Sequence, residues 1–268
     1  MADSKLMATP RRLVFGAVAE LYDASRPTYP EPLIDDVLEL AHAGAGVPIL
    51  EVGAGTGKAT VLFAARGARV LAIEPSPQMA AVARRNCADY PEVEIIESDF
   101  EHWDAAGRKF PLLYSAQAWH WIDPERRFVY ARAALRPSGL LAAFWNRPAW
   151  GESPIRDALR AVYREVVPDL EPVGPLHPAN VSSLDRDDWE ADVVTAAGFD
   201  GQEVRRYDWR IDYSADEFAR LLATLSEIRL LDEPTREALL AGIRRAIVEH
   251  GGELAMPMLT KLCLARAV

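Results

Sequence analysis

The sequence predicts an α/β protein built on a doubly wound, mostly parallel sheet. From about residue 48 to residue 146, short apolar runs alternate with helical patterns, as parallel strands joined by crossover helices require. A glycine-rich turn also leads directly from the first such run into the first helical pattern. The expected strands are Ile49–Val52, Val70–Glu74, Val93–Glu97, Leu112–Ala116 and Leu140–Trp145, and the expected helices are 58–66, 77–88 and 124–135.

The regions around this core predict added helices and two more strands. The gap between Trp145 and the next β-like run is far longer than an ordinary crossover, so we expect an insertion there. Helical patterns also occur at 11–41, 153–167 and 186–197. The expected organisation is an N-terminal helical segment or lid at 1–45, a core at 46–147, a cap insertion at 148–200, and a final region at 201–268 with strands Glu203–Tyr213 and Leu259–Val268 around a helical insert at 215–250.

Composition narrows the class of partner. The 268-residue chain has a net charge of −10, which disfavours a nucleic acid and favours a small-molecule substrate. Cys87 and Cys263 are too few for a disulfide framework or a zinc site, so we expect two buried thiols and no metal. No apolar run suggests a membrane span, and residues 1–5 lack a secretory h-region, which predicts a cytosolic protein. A monomer and a homodimer both remain open.

The glycine turn Gly53-Ala54-Gly55-Thr56-Gly57 predicts a close backbone approach to a ligand. A dinucleotide fingerprint would need glycine where Lys58 stands. A phosphate-binding P-loop would need glycine at 52 and Ser or Thr at 59, where Val52 and Ala59 stand. The turn therefore favours a nucleoside cofactor without a pyrophosphate.

Two acidic positions agree with a nucleoside. Glu74 ends the second strand, 21 positions after Gly53, where an acid hydrogen-bonds a ribose diol. Asp99 follows the third strand and can accept a hydrogen bond from an adenine amino group, while Phe100 offers its ring to the base.

With these landmarks the chain resembles the class I S-adenosylmethionine (SAM)-dependent methyltransferases. The family pattern stands as Leu50-Glu51-Val52-Gly53-Ala54-Gly55-Thr56-Gly57, and Leu135-Arg136-Pro137-Ser138-Gly139-Leu140 matches a later landmark. The resemblance implies a Rossmann-like sheet of seven strands and SAM as cofactor. The implied contacts are the cradle at Gly53, Gly55 and Gly57, the methionine end at Glu51, the ribose at Glu74 and the adenine at Asp99. Met79 would line the adenine slot or else pack in the helix core, and Ala54, Pro75 and Phe100 are further expected cofactor contacts.

The chain is most similar to the small-molecule branch that includes trans-aconitate methyltransferase and bacterial tailoring enzymes. The segment Tyr22-Asp23-Ala24-Ser25-Arg26-Pro27-Thr28-Tyr29-Pro30 resembles a stretch of that branch that folds over SAM. The resemblance places Tyr22, Arg26 and Tyr29 near the methionine carboxylate. A purely structural Pro-turn is the alternative.

The end of the fourth strand is the expected place of methyl transfer, because ligands bind beyond the carboxyl ends of such strands. His120 is a candidate general base for an acceptor that carries a proton, or else a supporting pocket residue. Gln117, Trp119 and Trp121 are expected to shape the cofactor-side wall, and Trp119, Trp121 and Trp145 the substrate pocket. The Asn/Asp-Pro-Pro-aromatic motif of nucleobase amino-methyltransferases is replaced by Ala116-Gln117-Ala118-Trp119, which disfavours a nucleobase acceptor.

The sequence therefore predicts methyl transfer from SAM to a small molecule, with an oxygen, nitrogen, carbon, sulfur or carboxylate acceptor all open. A SAM-binding regulatory or partner subunit without transferase activity is the alternative. A nucleotide-dependent oxidoreductase is a second alternative, which Lys58 disfavours.

Overall fold

The computed structural model describes residues 19–177, 189 and 191–268. Its seven-stranded sheet has the order β3-β2-β1-β4-β5-β7-β6. The first five strands pair in parallel, whereas β7 runs antiparallel to both β5 and β6. The strands are β1 Pro48–Val52, β2 Arg69–Glu74, β3 Val93–Glu97, β4 Phe110–Ala116, β5 Leu135–Pro148, β6 Phe199–Ser214 and β7 Glu253–Ala267.

Helices cover both faces of this sheet, as a doubly wound fold requires. The α-helices of the described residues are α1 Ala19–Ser25, α2 Glu31–Leu40, α3 Lys58–Ala64, α4 Pro77–Asn86, α5 Arg127–Ala134, α6 Pro154–Val166, α7 Ala191–Ala196, α8 Ala215–Ala223, α9 Ser226–Arg229 and α10 Glu233–Glu249. Short 3₁₀ turns occupy Trp119–Trp121 and Gly174–Leu176.

The predicted doubly wound, mostly parallel sheet is confirmed. Strands β1 and β4 are almost wholly buried, which explains why they read as continuous apolar runs. The main differences are in length: β5 and β7 each begin several residues before their predicted starts at Leu140 and Leu259. These early residues pair with other neighbours: Leu135 lies opposite Phe110 of β4, and the start of β7 pairs with β6, where Glu253 lies opposite Ser214.

The predicted helical insert at 215–250 is three helices, α8, α9 and α10. Helix α8 begins at a reciprocal capping box between Ser214 and Glu217, and α10 begins at Asp232, whose side chain accepts from the Thr235 amide. Each cap satisfies amides that a helix start leaves without partners. Local sequence signals therefore divide this insert into separate helices.

The two inserts pack together as one cap. Helix α10 contacts both α6 and α8, so residues from either side of β6 share a separate apolar core. At its centre Leu159, Leu222, Leu239 and Ile243 are fully buried. The cap therefore rests on the β6–β7 side of the sheet, beside the carboxyl ends of the parallel strands.

Part of the predicted N-terminal segment lies outside the described residues, as do residues 186–188 and 190 of the predicted helix at 186–197. Within the described ranges, α1 is held against α4 by the ion pair of Glu20 with Arg85 and by Ala19 packing on Met79 and Val82. No helix in these ranges is both long enough and apolar enough to span a bilayer. Cys87 and Cys263 are both buried.

Candidate functional site

A cavity of about 390 Å³ opens at the carboxyl ends of the parallel strands. Its walls come from the glycine turn, from the ends of β2, β4 and β5, from the segment that joins α1 to α2, and from the cap. The predicted site residues that line it are Arg26, Tyr29, Gly53, Ala54, Gly55, Glu74, Pro75, Met79, Asp99, Phe100, Gln117 and Trp121. The fold thus brings together side chains that are almost a hundred residues apart in sequence.

The glycine turn forms one wall of the cavity through its backbone. Gly53, Gly55 and Gly57 all have positive φ angles, 78°, 59° and 84°, which favour glycine. A Cβ on Gly53 would lie 2.3 Å from the Cβ of Ala118, so β1 and the loop after β4 approach each other too closely for a side chain. Gly53 and Gly55 line the cavity.

Gly57 has a different role from the predicted cradle. It is the N-cap of α3 and does not line the cavity. A Cβ there would lie 3.3 Å from Ala83 and 3.4 Å from the Cys87 sulfur. Its missing side chain therefore lets the turn pack against α4.

Glu74 ties the glycine turn to the start of α4. One of its oxygens accepts a hydrogen bond from the Gly55 amide at 2.8 Å, and the other accepts from the Ser76 amide at 2.9 Å. Burial raises the pKa of Glu74, and the two backbone hydrogen bonds oppose this. Because each carboxylate oxygen can accept more than one hydrogen bond, Glu74 still has acceptor capacity for a ligand in the cavity.

Glu51 lies beneath the turn and is completely buried. Its Oε2 accepts hydrogen bonds from the Thr60 hydroxyl at 2.6 Å and the Tyr114 hydroxyl at 2.9 Å. Within the described part of the chain its Oε1 has no hydrogen-bond partner. Burial raises the pKa of Glu51 to about 7, against the lowering effect of its two hydroxyl partners. Glu51 does not line the cavity, and its carboxyl group lies in the core beneath the turn with a pKa near neutral pH.

Four of the residues predicted to bind the cofactor line one part of this cavity, namely Pro75, Met79, Asp99 and Phe100. Phe100 is buried and stacks on Trp103 with ring centroids 6.5 Å apart, which holds its ring in place. His102 is largely exposed, with its Nδ1 3.5 Å from an Asp99 carboxylate oxygen.

Residues 26–30, which we name the roof segment, join α1 to α2 across the cavity. Arg26, Pro27 and Tyr29 line it, and the buried Tyr29 ring meets Phe144 edge-on at 5.0 Å. Lys58, at the start of α3, also lines the cavity, and its ammonium lies 3.8 Å from the Asp23 carboxylate. The side chain of Tyr22 lies outside the described residues.

The predicted pocket residues that follow β4 line two different pockets. Gln117 has a φ of 60° and lines the cavity with Trp121, which is 41% exposed. Three other predicted residues, Trp119, His120 and Trp145, line a smaller neighbouring pocket of about 170 Å³.

The reason for this difference is the face on which each side chain lies. Trp119 is fully buried and packs against Phe128 and Trp189, at ring-centroid distances of 5.4 and 6.4 Å. Trp145 points to that face of β5 and donates its indole N–H to His120 Nδ1 at 3.2 Å. The two tryptophans therefore belong to the apolar core between the sheet and α5.

The sequence predicted a cap, but it identified none of the residues that line the cavity on the cap side. Its walls are mostly apolar and include Asn146 and Arg147 as polar members; the wall residues are Asn146, Arg147, Pro148, Gly174, Pro175, Leu221, Met256 and Met258. The 3₁₀ turn that carries Pro175 is fixed by Trp150, whose indole N–H donates to the Pro175 carbonyl at 2.8 Å. One sequence signal was available: Met256 and Met258 alternate along β7 and so share a face.

Comparison with known proteins agrees with this geometry. Residues 49–139 match the family described as "Methyltransferase domain". An uncharacterized methyltransferase of Mycobacterium tuberculosis is 36% identical over 134 residues, which are 50% of this chain and 52% of that protein. The chain thus spans about half the length of the curated relatives it matches.

Two solved structures extend the likeness in fold to nearly the whole chain. A protein described as a type II methyltransferase from Anaeromyxobacter dehalogenans has a TM-score of 0.64 at 20% identity, covering 90% of this chain and 97% of its own. The [4+2]-cyclase SpnF has a TM-score of 0.52 at 17% identity, covering 96% and 93%. Residues 49–139 therefore match a methyltransferase domain, and nearly the whole chain shares the fold of these two structures.

Proposed function

We propose that this chain transfers the methyl group of SAM to a small molecule with a largely apolar body and releases S-adenosylhomocysteine. The observation that carries the proposal is the continuity of one cavity, which runs from the glycine turn and its acids to the apolar side of the cap. A cofactor and an acceptor can therefore meet inside a single enclosure.

The residues around the glycine turn fit the cofactor. The turn at Gly55 borders open space in the cavity, because a Cβ there would meet no atom of the described residues within 4 Å, and Glu51 has a buried oxygen with no described partner. We propose that Glu74 binds the ribose hydroxyls, that Asp99 and Phe100 bind the adenine, and that Glu51 with Arg26 holds the methionine end. This arrangement uses carboxylates where hydroxyl and amino groups must be recognised.

The cap side fits an acceptor with an apolar body. Met256 and Met258 of β7 line the cavity together with Leu221 of α8, Pro148 and Pro175. Methionine side chains are flexible and adapt to irregular apolar shapes. SAM supplies an already activated methyl group, so the chain's main tasks are to align the acceptor and to exclude water.

Direct evidence for this function would come from calorimetry with SAM followed by product analysis. We expect the purified chain to bind SAM and not NAD, and to form S-adenosylhomocysteine together with a methylated product from a panel of apolar small molecules. The Glu74→Gln variant places an amide N–H₂ against the Gly55 or Ser76 amide, so one hydrogen bond is lost. We expect SAM affinity to fall at least about 10-fold in this variant.

A SAM-binding protein without transferase activity is the alternative. The fold alone does not decide between the two, since a [4+2]-cyclase shares it. SAM binding with no methylated product from any acceptor would favour the alternative, and a lack of SAM binding would reject both. A cytosolic location stays a prediction.

Substitution of His120 tests whether the reaction needs a general base. Because it accepts from Trp145 and lines the neighbouring pocket, we propose that it supports the pocket and transfers no proton. His120→Gln, which retains a hydrogen-bond acceptor, should keep kcat within about 3-fold of wild type at saturating SAM, a smaller loss than the 10²–10⁴-fold typical of a lost general base. A pH–rate profile that loses a limb in this variant would instead identify His120 as the base.

A further inference from the structure

We infer that Asn146 is a positioning residue that fixes the roof segment over the cavity. It stands near the end of β5, is almost completely buried and lines the cavity. It belongs to a chain of side-chain hydrogen bonds that begins at the edge of the sheet and ends on the roof segment.

The chain begins on β6. The indole N–H of Trp209 donates to the Thr260 hydroxyl oxygen at 2.8 Å, and the Thr260 hydroxyl donates to Asn146 Oδ1 at 2.6 Å. Thr260 is fully buried and lies directly opposite Asn146 in the antiparallel register of β7 with β5. The network therefore crosses the three strands β6, β7 and β5.

The direction of these bonds fixes the orientation of the Asn146 amide. An indole nitrogen can only donate, so the Thr260 oxygen accepts from it and is left with its own proton to give to Asn146. On the other side of the amide, the carbonyl of Thr28 can only accept, so it requires the N–H₂ group and leaves the amide oxygen to face Thr260. Asn146 Nδ2 donates to this carbonyl at 2.8 Å.

Thr28 is the middle residue of the roof segment, whose residues 26–30 form neither helix nor strand. The bond from Asn146 holds this segment between Arg26 and Tyr29, the two roof residues that we assign to the methionine end of SAM. The backbone carbonyl of Asn146 also accepts from Gln117 Nε2 at 3.3 Å, so the loop after β4 is attached to the same residue. Asn146 thus sets the positions of two cavity walls at once.

Two variants separate this role from simple packing. Asn146→Asp keeps the acceptor for Thr260 but replaces the N–H₂ group that Thr28 requires. Thr260→Val is nearly isosteric and removes the hydroxyl that orients the amide, whereas Thr260→Ser retains a hydroxyl and serves as the matched conservative variant. We expect faster hydrogen exchange in peptides covering residues 22–33 for Asn146→Asp and Thr260→Val, and near-wild-type exchange for Thr260→Ser.

The exchange measurement is made on the chain without SAM, so it tests the inference even if the proposed function fails. In contrast, measurements of SAM affinity, kcat and KM test the inference only if the proposed function is correct. For these we expect SAM to bind about 10-fold more weakly to Asn146→Asp and about 3-fold more weakly to Thr260→Val. If Asn146→Asp does not fold, Thr260→Val decides the test. Hydrogen exchange at the wild-type rate in residues 22–33 of Thr260→Val would overturn the inference. An equal increase in exchange in Thr260→Val and Thr260→Ser would also overturn it.

Discussion

Replacing Gly53 with alanine is expected to weaken SAM binding by at least about 100-fold, which corresponds to about 2.7 kcal/mol. The new Cβ would lie 2.3 Å from the Cβ of Ala118, which has no flexible atoms that could move away. The φ of 78° adds about 1–2 kcal/mol of backbone strain for an alanine. The glycine turn or the loop after β4 must therefore shift into the space proposed for the cofactor. Calorimetric titration with SAM measures the loss.

Two controls make this prediction specific. Gly44→Ala adds a Cβ with no atom within 4 Å and should bind SAM as the wild type does. The double variant Gly53→Ala with Ala118→Gly removes the clash and leaves only the backbone strain, so it should recover part of the affinity. Unchanged SAM affinity in Gly53→Ala would show that this turn is not the cofactor cradle.

The parallel half of the fold and the cofactor side of the cavity could be predicted because their signals are local. Strand β1, the glycine turn and α3 follow each other without a gap, and Glu74 ends the next strand at a spacing that a single βα unit determines. Parallel strands end at the same edge of the sheet, so Glu74 and Asp99 had to approach the turn. These positions needed no knowledge of the distant parts of the chain.

The cap side could not be predicted in this way. Asn146 meets Thr260 and Thr28, which lie 114 and 118 residues away, and only the antiparallel register of β5 with β7 brings the first pair together. Trp145, predicted for the substrate pocket, does not line this cavity, because strand neighbours point to opposite faces and the alternation that puts Asn146 at the cavity turns Trp145 away from it. In a strand buried on both faces, apolar residues do not reveal which face is which.

Glu51→Gln is expected to change how the stability of the chain depends on pH. The pKa of Glu51 is raised to about 7 from 4.5, mainly by burial, so the folded chain binds this proton more tightly than the unfolded chain does. The stability that this group contributes is therefore complete below about pH 4.5 and is lost as the pH rises to about 7. A shift of this size corresponds to roughly 3 kcal/mol.

The test is to measure unfolding by urea at several pH values in wild type and Glu51→Gln. Burial also raises the pKa of Glu74, so this group too contributes less to wild-type stability as the pH increases. The difference between the two proteins isolates Glu51, because Glu74 is present in both. We expect the wild type to lose stability relative to Glu51→Gln between pH 5 and pH 8. A constant difference over this range would mean that Glu51 stays charged in the folded chain.

The same carboxyl group should couple SAM binding to pH. If the ammonium of the methionine end faces Glu51, it favours the charged carboxylate, so binding expels the proton that the empty site holds. We expect SAM affinity in the wild type to rise as the pH increases from about 5.5 to about 7.5, a range in which an α-amino group remains largely protonated. Glu51→Gln has no proton to lose and should bind SAM with little pH dependence over this range. An equal pH dependence in both proteins would place the ammonium away from Glu51, and the buried carboxyl would then act only through Thr60 and Tyr114.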